Sequence, residues 1–390
     1  VKGRYLTEKI VADLGEKMVF LSGPRQVGKT TLAQYLGKRY FSPFAYLNWD
    51  YQPDRKKIIN FQFPGEAKLL IFDELHKWKN WKNYLKGIYD KQKTQFKILV
   101  TGSAKLDIYQ RGGDSLTGRY YHYLLHPFSL AELLFLKPKP SPFKALNFLL
   151  PQKAELTLQR LLKFGPFPEP YLKQEARYWR RWQSARLDRL IKEEIRDLRM
   201  IADLANLQIL VEILPDKVAS PLSVNNLRED LEVAHKTLVN YLQTLEFFYF
   251  HFRVFPYTRK KIRTIKKMSK LYLWDWSTVP GEGPKLENLI AAHLLKLAHY
   301  LKNVEGEKAE LFYLRDLEGK EVDFLLVVED KPWFAVEVKL EETGPSPSLL
   351  YFGKKLAIPY LYQVVRTPEV DLFNSGVRVI SAAKFLTGLV

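Results

Sequence analysis

The sequence predicts an α/β protein of several domains, led by a parallel sheet and ending in a second α/β domain. Three observations carry this. The stretch "MVFLSGPRQVGKTTLAQYLG" joins a buried apolar strand to a helix through a glycine turn. Two further apolar runs, "KLLIFDELHKW" and "FKILVTGSAKLDI", each end in polar residues, as parallel strands do on the side where ligands bind. Near the C-terminus, "EVDFLLVVEDKPWFAVEVKL" reads as a β-hairpin, and a helix of amphipathic spacing precedes it. At 390 residues the chain exceeds one ordinary core, so two or three domains are expected.

Composition narrows the class. Hydrophobic residues make up 46% and aromatics 14%, ample apolar area for folded cores. Lys and Arg outnumber Asp and Glu by 61 to 43, and the resulting +18 suits an anionic partner such as nucleic acid. The chain has no cysteine, which excludes disulfides, thiol nucleophiles and thiolate zinc sites and favours a cytoplasmic home. No signal-peptide pattern and no bilayer-length apolar run is found, so no membrane partner is expected.

The first element is the strand Val19 to Ser22, with helical spacing from Thr31 onward. Between them lies Gly23-x4-Gly28-Lys29-Thr30, the P-loop pattern. Its glycines let successive N–H groups point at phosphate oxygens, and the helix that follows adds its positive end. Lys29 is expected to reach the terminal phosphates, and the Thr30 hydroxyl to coordinate Mg²⁺. Gly23, Pro24, Arg25, Gln26, Val27, Gly28, Lys29, Thr30 and Thr31 therefore make up the expected nucleotide site.

The second strand, Leu69 to Phe72, ends in Asp73, expected to hold Mg²⁺, and Glu74, expected to polarise an attacking water. His76 and Trp78 are expected to pack or lie at the surface. After the third strand, Thr101 and Ser103 are either γ-phosphate contacts or a polar turn. Arg119, in "LTGRYYHYLL", is either a solvated loop arginine or one aimed at a γ-phosphate.

"GPRQVGKTTL", "IFDELHK", "VTGSA", "LTGRYYHYLLHPFSLAEL", "FGPFPEPYL", "SKLYLWD", "KLENLIAAHLLK", "LFYLRDLEGKEVDFLL" and "AVEVK" follow one another in this order. The series resembles a large family of prokaryotic AAA+-type ATPases with a C-terminal domain of unknown function, and the likeness covers nearly the whole chain. The resemblance implies an AAA+-type ATPase domain, then a helical and winged-helix segment, then a restriction-endonuclease-like domain similar to the PD-(D/E)xK nucleases. It implies ATP and Mg²⁺ handling by Lys29, Thr30, Asp73 and Glu74, and a nucleotide-sensing role for Arg119. ATPases of this type complete their sites with a neighbour's arginine, which makes a homo-oligomer an expectation. Whether Arg119 would serve its own chain or a neighbour stays open. One departure stands out: after the Asp of "LYLWD" the family tends to have a small residue and glycine, where this chain has Trp276 and Ser277, so Asp275 is expected to be structural.

The expected division is 1–137 for the ATPase domain, 138–204 for a helical lid or connector, 205–275 for the winged helix and 276–390 for the nuclease-like domain. The proline-rich run "KPKPSPFKALNFLLP" marks the first break, and "EARYWRRWQSARLDRLIKEEIRDLRMIADL" has the spacing of an exposed helix leaning on the ATPase. Helices at Leu222 to Leu231 and Ala234 to Leu245 flank a tight turn, as in a helix-turn-helix. Leu238, Leu242 and Leu245 would pack inward, leaving His235, Lys236 and Asn240 to face a DNA major groove. Arg259 to Lys270 then holds seven basic residues in twelve, with Arg259, Lys260, Lys261, Arg263, Lys266 and Lys267 the expected phosphate contacts of a wing. The other reading of this segment is a protein-packing module with a solvated basic loop.

The hairpin poses two alternatives. Strand alternation puts Glu337 and Lys339 on one face, with Phe334, Val336 and Val338 on the other. Asp323 would lie beside Glu337, Glu321 could share its face, and Glu287 stands near the start of a helix whose apolar side is Leu286, Leu289, Ile290, Leu294 and Leu297. Glu287, Asp323 and Glu337 are then metal ligands and Lys339 the cation beside a scissile phosphate; otherwise the domain binds or folds without cutting. The expected function is an ATP-hydrolysing protein coupled to DNA binding, with or without nuclease action. The alternative is a regulatory ATPase whose C-terminal domains serve protein interaction.

Overall fold

The computed structural model describes residues 3–103, 116–195, 203–258 and 268–390. They form two compact units, Val1–Pro127 and Phe128–Val390.

In the first unit, strands β1 (Met18–Ser22), β2 (Phe44–Asn48), β3 (Leu69–Asp73), β4 (Lys97–Thr101) and β5 (Tyr120–Leu124) make one sheet in the order β2-β3-β4-β1-β5. Every pairing is parallel. Both faces of a parallel sheet are covered, so its central strands are apolar throughout, as the fully buried β1 and β3 are. Phe20 stacks on Tyr120 at 4.3 Å, and Phe72, Trp81, Tyr84 and Ile98 extend the same core. The apolar runs at 69–72 and 97–101 predict β3 and β4; β2 alternates buried with half-buried residues and β5 is half-buried but for Tyr123, and the sequence predicts neither.

The second unit is built on an eight-stranded mixed sheet. Its strands are β6 (His251–Pro256), β7 (Lys270–Leu273), β8 (Ala309–Arg315), β9 (Glu321–Val328), β10 (Lys331–Lys339), β11 (Tyr360–Val365), β12 (Asp371–Asn374) and β13 (Val377–Ser381), in the order β12-β13-β11-β10-β9-β8-β6-β7. The hairpin expected at 321–340 is β9 and β10, antiparallel, turning on Glu329 and Asp330, both at positive φ. Two such residues make the turn that matches the twist of a hairpin. The strands expected as a wing, β6 and β7, pair with each other and, through β6 and β8, extend this same sheet. The boundary expected between 275 and 276 therefore falls inside one unit.

The chain divides into its two compact units between Pro127 and Phe128, ahead of the first boundary expected. The helix Leu130–Leu133 belongs to the second unit, where Lys296 Nζ bonds Glu132 at 2.9 Å and Ser129 at 2.8 Å. The helix Ala176–Arg189 packs within the second unit as well: Trp182 is buried, and Gln183 Nε2 donates to Asp275 at 2.7 Å. Asp275 accepts from the Ser277 N–H and hydroxyl, while Trp276 is buried and donates to the Leu161 carbonyl at 2.8 Å. The departure at Trp276 and Ser277 thus accompanies a packing role for Asp275. Among the described residues no helix is long and apolar enough to cross a membrane.

Candidate functional site

β1 delivers the chain to the glycine turn. Gly23 has φ 143°, and a Cβ there would meet the Leu125 carbonyl oxygen at 2.5 Å; Gly28, at φ 96°, caps the helix Lys29–Tyr40. Both positions demand a residue without a side chain. Lys29 is buried, and its Nζ donates to the Gly23 carbonyl at 2.9 Å and the Pro24 carbonyl at 2.7 Å. Arg25 and Gln26 are half-buried, Val27 is buried, and Thr31 is exposed on the helix.

Asp73, only 5% exposed, is where the sheet and this helix meet. Its Oδ2 accepts from Thr30 Oγ1 and from the Tyr46 hydroxyl, each at 2.8 Å, and its Oδ1 accepts from Thr101 Oγ1 at 2.5 Å. The register explains the convergence: Asn48, Asp73 and Thr101 stand abreast at the ends of β2, β3 and β4. Burial, then the hydrogen bond to Asp73 and its charge, push the Tyr46 phenol well above its ordinary range. Of the two readings of Thr101, its hydroxyl here serves Asp73; Ser103 is buried beside the same strand end.

Glu74 follows in the left-handed region at φ 57°, its N–H bonded to the Thr101 carbonyl at 3.0 Å. Its carboxylate lies 3.1 Å from Lys77 Nζ and 3.7 Å from His76 Nε2. His76 is buried and Trp78 stacks on Trp49 at 4.9 Å, so both pack. Arg4 buttresses the turn from outside the motif: its guanidinium donates to the Val27 carbonyl at 2.9 Å and the His126 carbonyl at 2.7 Å. Neither Arg4 nor Tyr46 carries a local sequence signal.

Arg119 lies away from the glycine turn of its own chain. Arg119 precedes β5, whose first residue Tyr120 pairs with Met18 at the start of β1, whereas the glycine turn leaves the far end of β1. Five strand residues separate the two ends by about 13 Å. The guanidinium is also held by Asp90, at 2.8 and 3.1 Å.

In the second unit, Glu287 stands on the helix Glu282–Tyr300, whose Leu286, Leu289, Ile290, Leu294 and Leu297 are buried as expected. The register of β9 against β10, with Phe324 opposite Val336, brings Asp323 level with Glu337. A lysine stands among the expected ligands. Lys270 Nζ lies 2.7 Å from Glu321 and 3.2 Å from both Glu287 and Asp323. The second oxygen of Asp323 accepts from the Val338 N–H at 2.9 Å. Glu337 turns to Lys339 at 2.8 Å, and its Oε2 is buried with no hydrogen-bond partner among the described residues. Burial, with the Asp323 charge beside it, raises the carboxyls of both Glu287 and Glu337. No group of three His, Asp or Glu among the described residues is placed to hold a metal ion. The donor set does not fit a resident divalent ion.

The helices expected as a helix-turn-helix are Val224–Asp230 and His235–Phe247. Leu238, Leu242 and Leu245 are buried, and His235, Lys236 and Asn240 are exposed on the other side. Arg259, Lys260, Lys261, Arg263, Lys266 and Lys267 lie outside the described residues.

Three family matches cover most of the chain. Residues 15–134 match the family described as AAA domain, residues 155–280 a domain of unknown function (DUF8612), and residues 282–385 a second one (DUF4143). An uncharacterized protein of Methanocaldococcus jannaschii is 24% identical over 341 residues, covering 74% of this chain and 69% of that protein. An uncharacterized protein of Mycobacterium tuberculosis is 29% identical over 104 residues, 26% of this chain and 23% of its own length. Among solved structures, the Aeropyrum pernix ORC1 protein in complex with DNA is 11% identical with a TM-score of 0.34, over 73% of this chain and 91% of that one. Thermotoga maritima RuvB is 16% identical with a TM-score of 0.30, over 64% and 88%. The first unit thus carries an AAA domain match on the parallel sheet of a P-loop protein.

Proposed function

We propose that the first unit binds Mg-ATP and hydrolyses it, and that nucleotide occupancy governs what the second unit binds. The observation that carries this is the contact between Thr30 Oγ1 and Asp73 Oδ2, 2.8 Å apart at the mouth of the glycine turn. A hydroxyl from the P-loop helix and a carboxylate from the end of a second parallel strand are the pair that shares a magnesium shell in such enzymes. Mg²⁺ would be held at Thr30 and Asp73 and would offset the negative charge that develops on the phosphates.

The chain's own residues supply the rest. Backbone N–H groups of Gly23 to Thr30 receive phosphate oxygens, and Lys29 exchanges its two carbonyl partners for the terminal phosphates. Asp73 gives up one of its three hydroxyl donors to face the metal shell. Glu74 leaves Lys77 to orient the attacking water. Lys29→Ala is expected to abolish ATP turnover in a phosphate-release assay; turnover at the wild-type rate refutes the assignment.

For the second unit we favour DNA contact, through a winged-helix segment, over protein interaction alone. The supporting observation is the exposed His235, Lys236 and Asn240 on the side of their helix away from Leu238, Leu242 and Leu245, in a chain of net charge +18. The test is duplex DNA affinity at two salt concentrations. Affinity indifferent to salt favours the regulatory reading, in which the partner is a protein.

A further inference from the structure

The pattern Glu287, Asp323, Glu337 and Lys339 implies a cation held by carboxylates, and the second unit supplies that cation from its own chain. Lys270 is 2% exposed and lies on the edge strand β7, paired to β6 with Val254 opposite it. Its neighbour Ser269 accepts from the Leu222 N–H at 2.8 Å, so the backbone that presents it is tied down on both sides.

Each carboxylate around the ammonium is already engaged. Glu321 bonds it at 2.7 Å and is also 3.1 Å from Arg315. Glu287 bonds it at 3.2 Å and accepts from the Tyr272 hydroxyl at 2.7 Å. Asp323 bonds it at 3.2 Å with one oxygen and the Val338 N–H at 2.9 Å with the other. The Tyr313 ring closes the remaining side, 5.7 Å from Nζ. A divalent ion takes carboxylate oxygens at about 2.0–2.6 Å and would have to stand where Nζ stands. Both contacts of Glu287 fall on its Oε1, so the oxygens without a hydrogen bond among the described residues are the Oε2 atoms of Glu287 and Glu337, while Asp323 holds the ammonium with one oxygen and the Val338 N–H with the other.

We propose that Lys270 is the resident cation of this site, so that the second unit is a metal-independent module that does not cleave phosphodiesters. This does not depend on the nucleotide reading of the first unit.

The test measures Mn²⁺ binding to the nucleotide-free full chain by electron paramagnetic resonance. The wild type is expected to show no Mn²⁺ site that Asp323→Asn removes, and the second unit is expected to melt at the same temperature in EDTA and in Mn²⁺. Lys270→Ala vacates the position and is expected to gain a Mn²⁺ site at least about tenfold tighter than any in the wild type. Adding Asp323→Asn should abolish that gain. An Asp323-dependent Mn²⁺ site in the wild type overturns the proposal, as does Asp323-dependent cutting of plasmid DNA in Mn²⁺. A folded Lys270→Ala chain without a new site overturns it too. Should that variant not fold, the comparison of wild type with Asp323→Asn decides alone.

Discussion

Arg4 gives the sharpest test of how the nucleotide turn is held. Its buried guanidinium bonds the Val27 carbonyl inside the turn and the His126 carbonyl beyond β5, so one side chain ties the turn to the sheet edge. Arg4→Met keeps the apolar stem and leaves both carbonyls without these donors. Stranding a buried acceptor costs about 1–3 kcal/mol, so losing both donors should cost about 2–6 kcal/mol. For a unit of this size, that lowers the melting temperature by about 7–22 °C. The turn would also have to be ordered by the ligand; if that takes about 1.4 kcal/mol, nucleotide affinity falls about tenfold. At a Mg-ADP concentration near 100 times the wild-type dissociation constant, ligand stabilisation is about 2.7 kcal/mol; in the variant it drops to about 1.4. Arg4→Lys should recover little, because an ammonium lacks the planar fork that spans two carbonyls on separate segments. The assay is thermal unfolding with and without Mg-ADP. A variant that melts within about 1 °C of wild type, with the same ligand shift, refutes the reasoning.

Tyr46→Phe removes one hydroxyl donor from the Asp73 carboxylate and should cost about 1.5–3 kcal/mol in a urea titration; an unmoved midpoint would show that the bond contributes nothing. His293 is buried, its Nδ1 2.8 Å from the Leu289 carbonyl while Nε2 accepts from the Leu130 N–H, and burial depresses it to about 3. Since the unfolded chain binds that proton near pH 6.5 and the folded one does not, stability should fall as pH drops from about 6.5 toward 3, by a few kcal/mol on the order of the shift. His293→Gln should flatten that acid limb; a limb as steep as in the wild type removes His293 as its cause. If Lys236 meets a phosphate, Lys236→Ala should reduce the slope of log affinity against log salt by about 1, and an unchanged slope places the contact elsewhere.

Much of the first unit is legible in the sequence because its signals are contiguous. A glycine turn between an apolar strand and a helix specifies its own backbone, and the acid after the next apolar run follows from the ends of parallel strands lining up. The hairpin is partly local: alternation puts Glu337 and Lys339 on one face, but the register shift between Pro332 and Phe334 is what brings Asp323 level with Glu337. β2 and β5 escape notice because half-buried edge strands carry a weak periodicity. Lys270 also escapes, since it closes the run of basic residues expected to meet phosphate, and nothing near it in sequence names Glu287, Glu321 or Asp323 as its partners.

The sequence by itself determined the glycine turn, the acidic strand end and the shared face of Glu337 and Lys339, since each depends on residues a few positions apart and on the periods of helix and strand. Only the tertiary structure decided what those groups touch. Arg119 faces Asp90 at the opposite end of β1 from the turn, Arg4 reaches Val27 across 23 positions, and Lys270 meets Asp323 across 53. Such pairings are set by strand order and register, which join distant segments and leave no mark in the spacing of either one.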